Sequence, residues 1–323
     1  MKTFTITAND AGQRLDKFIA KCVPALPKTL MYKYLRTKRI KRNGKKAEFS
    51  VKLAAGDVID MYISDEFFGQ IQEKKYDFLS APKSLDIVYE DENIMILNKK
   101  AGVLCHPDNN EYVDTLVARV KRYLYEKGKY KPEQENSFVP SLANRIDRNT
   151  GGLVLAAKNA EALRVLNQKI KDRELTKLYM CIAIGEMPKT RDLLTAYLRK
   201  DSDKNKVFIT NKEAPDSRII KTEYTVLDYR KGVSLLQINL LTGRTHQIRA
   251  HLAHIGHPLL GDGKYGRNEQ NKKLGGYKKQ CLYSYSIRFD FTTDAGILSY
   301  LNGKSFSTDD IWFKTAFYND DLF

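Results

Sequence analysis

The order of strand-like and helix-like runs after residue 86 is what most limits the fold open to this chain. Runs rich in Val, Ile, Leu and Tyr predict strands over 86–89, 94–97, 152–157, 178–184, 224–228 and 233–240. Apolar residues spaced three and four apart predict helices over 114–125, 161–173 and 245–255. These strands and helices do not alternate one for one, so a doubly wound parallel sheet fits poorly. The expected class is α+β: a mixed, mostly antiparallel sheet with flanking helices, plus a small N-terminal α/β domain. A length of 323 residues suits one large domain and one small one. The expected boundaries are 1–65 for the small domain, 66–84 for a polar linker with Ser80, Pro82 and Ser84, and 85–323 for the large domain.

Charge distinguishes the first of these pieces. Lys and Arg outnumber Asp and Glu by 55 to 39, a net charge of +16, which favours polyanionic partners. From Lys28 to Lys46 stand Lys28, Lys33, Arg36, Lys38, Arg39, Lys41, Arg42, Lys45 and Lys46, with no acid among them. Apolar spacing predicts helices over 11–22 and 29–36. A strand from Ile40 then enters a turn at Asn43-Gly44, and a second strand covers 58–63. A single-signed helix and hairpin of this kind can track a phosphate backbone. An acidic membrane fits less well, because no run reaches the roughly 18 apolar residues of a spanning helix. The N-terminus alternates polar and apolar residues and lacks a signal-peptide core, so a cytoplasmic location is expected. Cys22, Cys105, Cys181 and Cys281 form no Cys-x-x-Cys pair. They are expected as free thiols, with no disulfide framework and no zinc site.

Three stretches of the large domain could carry chemistry. Asp147 stands in Asn144-Arg145-Ile146-Asp147-Arg148-Asn149-Thr150-Gly151-Gly152, just before a strand. Asp, Asn and Gly form turns in any protein, but here two arginines flank the carboxylate on a loop. Tyr179 lies in an alternating strand that on its own would read as core. The segment Thr242–Pro258 holds four of the five histidines. Thr245 is the expected helix N-cap, and Ile248, Leu252 and Ile255 the expected buried face. His246 and Arg249 share another face of that helix. His251, His254 and Asp262 could in principle gather a metal, although Arg244 and Arg249 would place positive charge beside it. The chain has no P-loop lysine signature, no dinucleotide-binding glycine fingerprint and no Gly-x-Ser-x-Gly elbow.

In order along the chain, these stretches resemble known families. Residues 12–62 are similar to the small alpha-L RNA-binding domain found in ribosomal protein S-four and in tyrosyl-tRNA synthetases. The likeness rests on Gly12-Gln13-Arg14-Leu15-Asp16-Lys17, on Arg39-Ile40-Lys41-Arg42-Asn43-Gly44-Lys45 and on Ala55-Gly56-Asp57-Val58-Ile59. Four further blocks resemble the RluA-type RNA pseudouridine synthases: residues 87–107, Arg145–Leu153, Lys177-Leu178-Tyr179, and 243–252 with 256–262. Three positions depart from that family's usual pattern, Asn144 standing for His, Lys100 for Pro and Gly151 for Ser.

The resemblance implies an enzyme that isomerises uridine in structured RNA without metal or cofactor. Asp147 would be the nucleophile, adding either to carbon 6 of the uracil or to the anomeric carbon of the ribose. Tyr179 would stack on the base and serve the final deprotonation. Arg249 would pair with Asp147; a cation beside a carboxylate favours the ionised form a nucleophile requires. Arg145 would fill the space left by the flipped uridine. Arg14, Lys33, Arg36, Lys38, Arg39, Lys41, Arg42 and Lys45, with Arg244 and His246, are the expected RNA contacts. The expected substrate is 23S ribosomal RNA, with tRNA as the other choice, and the expected oligomeric state is a monomer. Two other readings remain open from sequence. One is a non-catalytic RNA-binding or ribosome-assembly factor; the other is a metal-dependent enzyme using His251, His254 and Asp262.

Overall fold

The computed structural model describes residues 1–71, 76–201, 206–266, 268–319 and 321–322. The chain divides into two compact units. The first is Met1–Leu85 with His106–Ser141 and Ala156–Arg164, and the second is Asp86–Cys105 with Leu142–Leu155 and Val165–Phe323.

The first unit opens with β1 (Lys2–Thr5), α1 (Leu15–Cys22), α2 (Lys28–Arg36), β2 (Ile40–Arg42) and β3 (Val58–Met61). The strands form an antiparallel sheet in the order β1-β3-β2. In α1, Leu15, Phe18, Ile19 and Cys22 fall at i, i+3, i+4 and i+7, and all four are buried. They pack with Ile40, Ile59 and Met61 into one core. After β2, Asn43 (φ 52°) and Gly44 (φ 71°) turn the chain in the left-handed region, as the Asn-Gly pair predicts. Arg42 and Lys45 close that turn with reciprocal backbone hydrogen bonds of 2.9 and 3.0 Å. Buried Asp57 accepts from Arg42 Nε, Asn43 Nδ2 and the Ala54 N–H. Burial works against its charge, but these donors hold its pKa below the ordinary value.

Within the stretch expected as a linker stand two 3-10 helices, Asp65–Ile71 and Asp77–Ser80; residues 72–75 lie outside the described residues. Phe78 is buried against Tyr125 and Tyr130. Tyr125 belongs to α3 (Leu116–Glu126), whose first turn is capped by Thr115 Oγ1 accepting from the Ala118 N–H.

The second unit is built on β4 (Ile87–Glu90), β5 (Ile94–Lys99), β6 (Ser141–Leu142), β7 (Gly151–Ala157), β8 (Leu175–Ile184), β9 (Arg191–Asp201), β10 (Lys206–Thr210), β11 (Arg218–Arg230), β12 (Val233–Leu240), β13 (Leu282–Phe289) and β14 (Ser305–Ser307). Its helices are α4 (Ala160–Lys171), which begins in the first unit, α5 (Gln247–His254), α6 (Asn268–Lys273) and α7 (Trp312–Tyr318). These strands form one sheet in the order β10-β9-β11-β12-β8-β13-β7-β5-β4, with β14 on β13 and β6 on β7. Its pairings are mostly antiparallel, while β13 runs parallel to β7 and sets Tyr283 beside Gly151. The expected α+β class with a mostly antiparallel sheet is what the chain adopts.

Sequence periodicity missed β6, β9, β10, β13 and β14 and saw only the middle of β11. In β9 the apolar residues of Leu193-Leu194-Thr195-Ala196-Tyr197-Leu198 fall on both faces, with Leu193 exposed and Ala196 and Leu198 buried, so no clean alternation marks the strand. All four cysteines are free and buried. Among the described residues no helix is long and apolar enough to cross a membrane.

Candidate active site

Asp147 sits on the loop between β6 and β7, and that loop is held from several directions. Its own turn closes through the Thr150 N–H donating to the Asp147 carbonyl at 3.1 Å. Its two ends are tied together, since the Ala143 N–H reaches the Leu155 carbonyl and the Leu155 N–H reaches Asn144 Oδ1, both at 2.8 Å. From the end of β5, Lys99 Nζ donates to the carbonyls of Lys100, Val103 and Arg148 at 3.1, 2.7 and 2.9 Å. Lys99 is buried, and burial brings its pKa down to about 8, against the opposing pull of Cys105 and Asp147.

Arg249 projects from α5 toward this loop. Its Nη1 donates to Asp147 Oδ2 at 3.0 Å. Its Nε and Nη2 bind the two oxygens of Asp262 at 2.7 and 2.9 Å, a bidentate pair in which Asp262 has no exposed surface. Burial works against the charge of Arg249, yet Asp262 and Asp147 raise its pKa above the ordinary value. Tyr265 lies under the guanidinium, its ring centre 5.3 Å away. Tyr179 faces the site from β8 with 6% exposure. Burial pushes its pKa up to about 12, so it is a neutral phenol.

These groups line one cavity of about 720 Å³ within the second unit. Asp147, Tyr179, Arg249, Arg145, Arg244 and His246 all lie on it, so every large-domain residue expected in the site is brought together. Four further cations that sequence reasoning missed, Lys171, Arg173, Lys177 and Lys221, line the same cavity. Lys177 could have been found, because strand alternation puts it on the Tyr179 face of β8. Burial lowers its pKa. Asp262 was considered only as a metal ligand, and Tyr265 three residues further on was not singled out.

The small-domain residues occupy the first unit. Arg14 pairs with Asp16 and Arg42 with Asp57. Arg39 and Lys41 lie over the rings of Tyr34 and Tyr62. Lys33, Arg36, Lys38 and Lys45 are exposed.

Two expectations need correction. Thr245 does not cap α5: the residue before the helix is His246, in the left-handed region at φ 52°, and no side chain caps from there. Gln247 holds the turn that precedes the helix, its Oε1 accepting from the Arg244 N–H and Thr242 Oγ1 and its Nε2 donating to Thr222 Oγ1. The His251, His254 and Asp262 set is not gathered around a common point. His251 Nδ1 is 3.0 Å from Thr222 Oγ1, His254 Nε2 is 2.8 Å from Asn211 Oδ1, and Asp262 is committed to Arg249.

Two of the three departures from the family pattern acquire structural accounts, and Lys100 has none. Asn144 ties the loop ends. At Gly151 an added Cβ would lie 2.6 Å from the Tyr283 ring, whose hydroxyl donates to Asn98 Oδ1 at 2.6 Å. A side chain at 151 is excluded because Tyr283 fills its space.

A carboxylate held by a buried guanidinium, beside a buried phenol in a cation-lined cavity, fits an anionic substrate. The family described as RNA pseudouridylate synthase matches residues 93–254. The chain is 32% identical to an uncharacterized RNA pseudouridine synthase of Mycoplasma genitalium over 88% of both chains. It is 30% identical to ribosomal large subunit pseudouridine synthase C of Vibrio vulnificus, covering 86% of this chain and 85% of that one. Human RNA pseudouridylate synthase domain containing 4 shares the fold, with a TM-score of 0.55 and 18% identity over 71% of this chain and 90% of that one. The chain belongs to the RNA pseudouridylate synthase family and is an RNA pseudouridine synthase, which sets aside the non-catalytic alternative.

Proposed function

We propose that this enzyme isomerises uridine in large-subunit (23S) ribosomal RNA, with Asp147 as the nucleophile and Tyr179 and Arg249 completing the catalytic set. The observation that carries the reading is the 3.0 Å contact of Arg249 Nη1 with Asp147 Oδ2 inside the cavity that Tyr179 lines. Arg249 supplies a fixed positive charge beside the carboxylate and directs one of its oxygens. Tyr179, neutral and buried, offers a flat face to a base and a hydroxyl for proton transfer. Arg145, on the same loop as Asp147, is placed to occupy the gap a flipped uridine leaves. The exposed cations of the first unit supply phosphate contacts that position the RNA. Ribosomal RNA is preferred over tRNA because relatives from Vibrio vulnificus and Yersinia pestis are named large-subunit synthases C and D.

Two measurements test this. Pseudouridine mapping of RNA from cells with and without the protein should show a large-subunit site that depends on it; a dependent site only in tRNA would overturn the substrate. Asp147→Asn should fold and bind RNA normally but form no pseudouridine. Turnover near that of the wild type would overturn the role of Asp147.

A further inference from the structure

His246 occupies an unusual position beside the catalytic carboxylate. Its backbone is left-handed (φ 52°), a conformation that costs a non-glycine residue roughly 1–3 kcal/mol and persists only where its surroundings impose it. Its Nδ1 lies 2.9 Å from the Tyr265 hydroxyl, and its Nε2 lies 4.0 Å from Asp147 Oδ2.

The hydrogen-bond roles here can be worked out. Tyr265 Oη accepts from the Val207 N–H of β10 at 3.0 Å. Its single proton then has one partner among the described residues, His246 Nδ1. A neutral imidazole that accepts at Nδ1 carries its proton on Nε2. Burial, and to a lesser degree Arg249 and Lys264, lower the pKa of His246, while Asp147 and Asp262 oppose them. The ring therefore presents a neutral N–H toward the Asp147 oxygen.

At 4.0 Å that N–H is too far to bond Asp147 directly. One oxygen atom about 2.8 Å from each would bridge the gap, provided it accepts from the imidazole and donates to the carboxylate. A water molecule can do both, and so can a substrate hydroxyl that takes its place. Within an RNA strand the 3′ and 5′ oxygens are esterified, and uracil keeps its acceptors and its N–H donor on separate atoms. The 2′-hydroxyl is the group that remains. We propose that His246 and Asp147 together read the ribose 2′-hydroxyl of the target uridine, with Tyr265 as the positioning residue that sets the imidazole tautomer. The cavity thereby distinguishes RNA from DNA at the reacting nucleotide itself. The inference rests on reading Asp147 as the centre of the uridine site.

The test uses a short RNA carrying the mapped uridine, made with either ribose or 2′-deoxyribose at that nucleotide alone. Wild-type kcat/KM should fall on the order of 10- to 100-fold on the deoxy substrate, the loss expected for a hydrogen bond to a charged group. In His246→Ala the deoxy penalty should shrink by roughly 3- to 10-fold, the share of the neutral imidazole hydrogen bond, while the bond to Asp147 stays. His246→Gln, whose amide nitrogen can take the place of Nε2, should regain part of the discrimination. Nitrogen-15 spectra of the free wild-type protein should show the Nε2–H tautomer of His246, and Tyr265→Phe should mix the tautomers and weaken discrimination. An undiminished penalty in the soluble Ala, Gln and Phe variants, a wild type indifferent to the sugar, or an Nδ1–H tautomer would each overturn the proposal. An enzyme inert on the all-ribose RNA would instead remove the reading of the cavity, and the inference with it.

Discussion

Asp262 grips Arg249 through both carboxylate oxygens, at 2.7 and 2.9 Å, and leaves that guanidinium a single nitrogen directed at Asp147. The grip is also supported from behind, because Asp262 Oδ1 accepts from the Lys264 and Tyr265 backbone N–H groups. Arg249 is thus a rigid strut between a buried carboxylate and an accessible one.

Asp262→Asn tests the strut. The variant keeps the size of the side chain but loses the charge that orients Arg249. Its kcat should fall by about 100-fold, the scale of an ångström-sized misplacement, with RNA affinity nearly unchanged. Breaking a buried ion pair from one side should also cost about 3–5 kcal/mol in denaturant unfolding. Unchanged single-turnover rates would show that Arg249 does not need Asp262.

Gly151→Ser would restore the side chain usual in the family. Here it should destabilise the protein by about 1–3 kcal/mol, because the new Cβ meets the Tyr283 ring at 2.6 Å. Tyr283→Leu in the same chain should recover much of that loss. Gly152→Ala should be worse and not recoverable this way, since its Cβ would meet the Ser284 backbone carbonyl at 2.1 Å and its φ is +113°. Urea denaturation of the four variants compares them directly.

His251 makes stability depend on acid. Burial lowers its pKa from 6.5 to about 4, with His254 adding to the effect. The unfolded chain therefore takes up this proton near pH 6.5, whereas the folded chain resists it down to about 4. Between those values the unfolded state binds more protons, so stability falls as the pH drops from 6.5 to 4. The loss amounts to about 2–3 kcal/mol at the acid end and vanishes above pH 6.5. His251→Asn, which can still bond Thr222, should flatten unfolding free energy across that window.

The exposed cations of the first unit should act through phosphate. Replacing Lys33, Arg36, Lys38 and Lys45 together by Gln should weaken RNA binding without altering the catalytic rate of bound substrate. The dependence of log K on log salt should become shallower by up to roughly three. Identical salt slopes would mean that these side chains do not touch the backbone of the RNA.

How much of this was legible beforehand depended on where the controlling partner lies. Asp147, Tyr179 and Arg249 could be named because their stretches, taken together and in order, resemble a known family; alone, the first reads as a turn and the second as core. The helix that carries Arg249 was visible from its periodicity, yet its start was misplaced, because a left-handed His246 leaves no local pattern. Gly151 read as a departure from the family until Tyr283, distant in sequence, was found filling its space. Tyr265 and Asp262 act on residues of another segment, and nothing beside them in the chain announces it. The strands β9 and β10 escaped notice because apolar side chains, Leu193 and Phe208, also stand at outward positions, which blurs the alternation.

The parallel register that places Tyr283 against Gly151 also sets a timetable. Asp147 is polymerised well before β13, and loop closure across so long a separation is slow compared with local folding. During synthesis the catalytic loop must wait, with one flank of β7 unpaired, until the strand from Leu282 to Phe289 leaves the ribosome and inserts between β7 and β8. Competence to modify RNA is therefore acquired only once β13 has been made and has inserted.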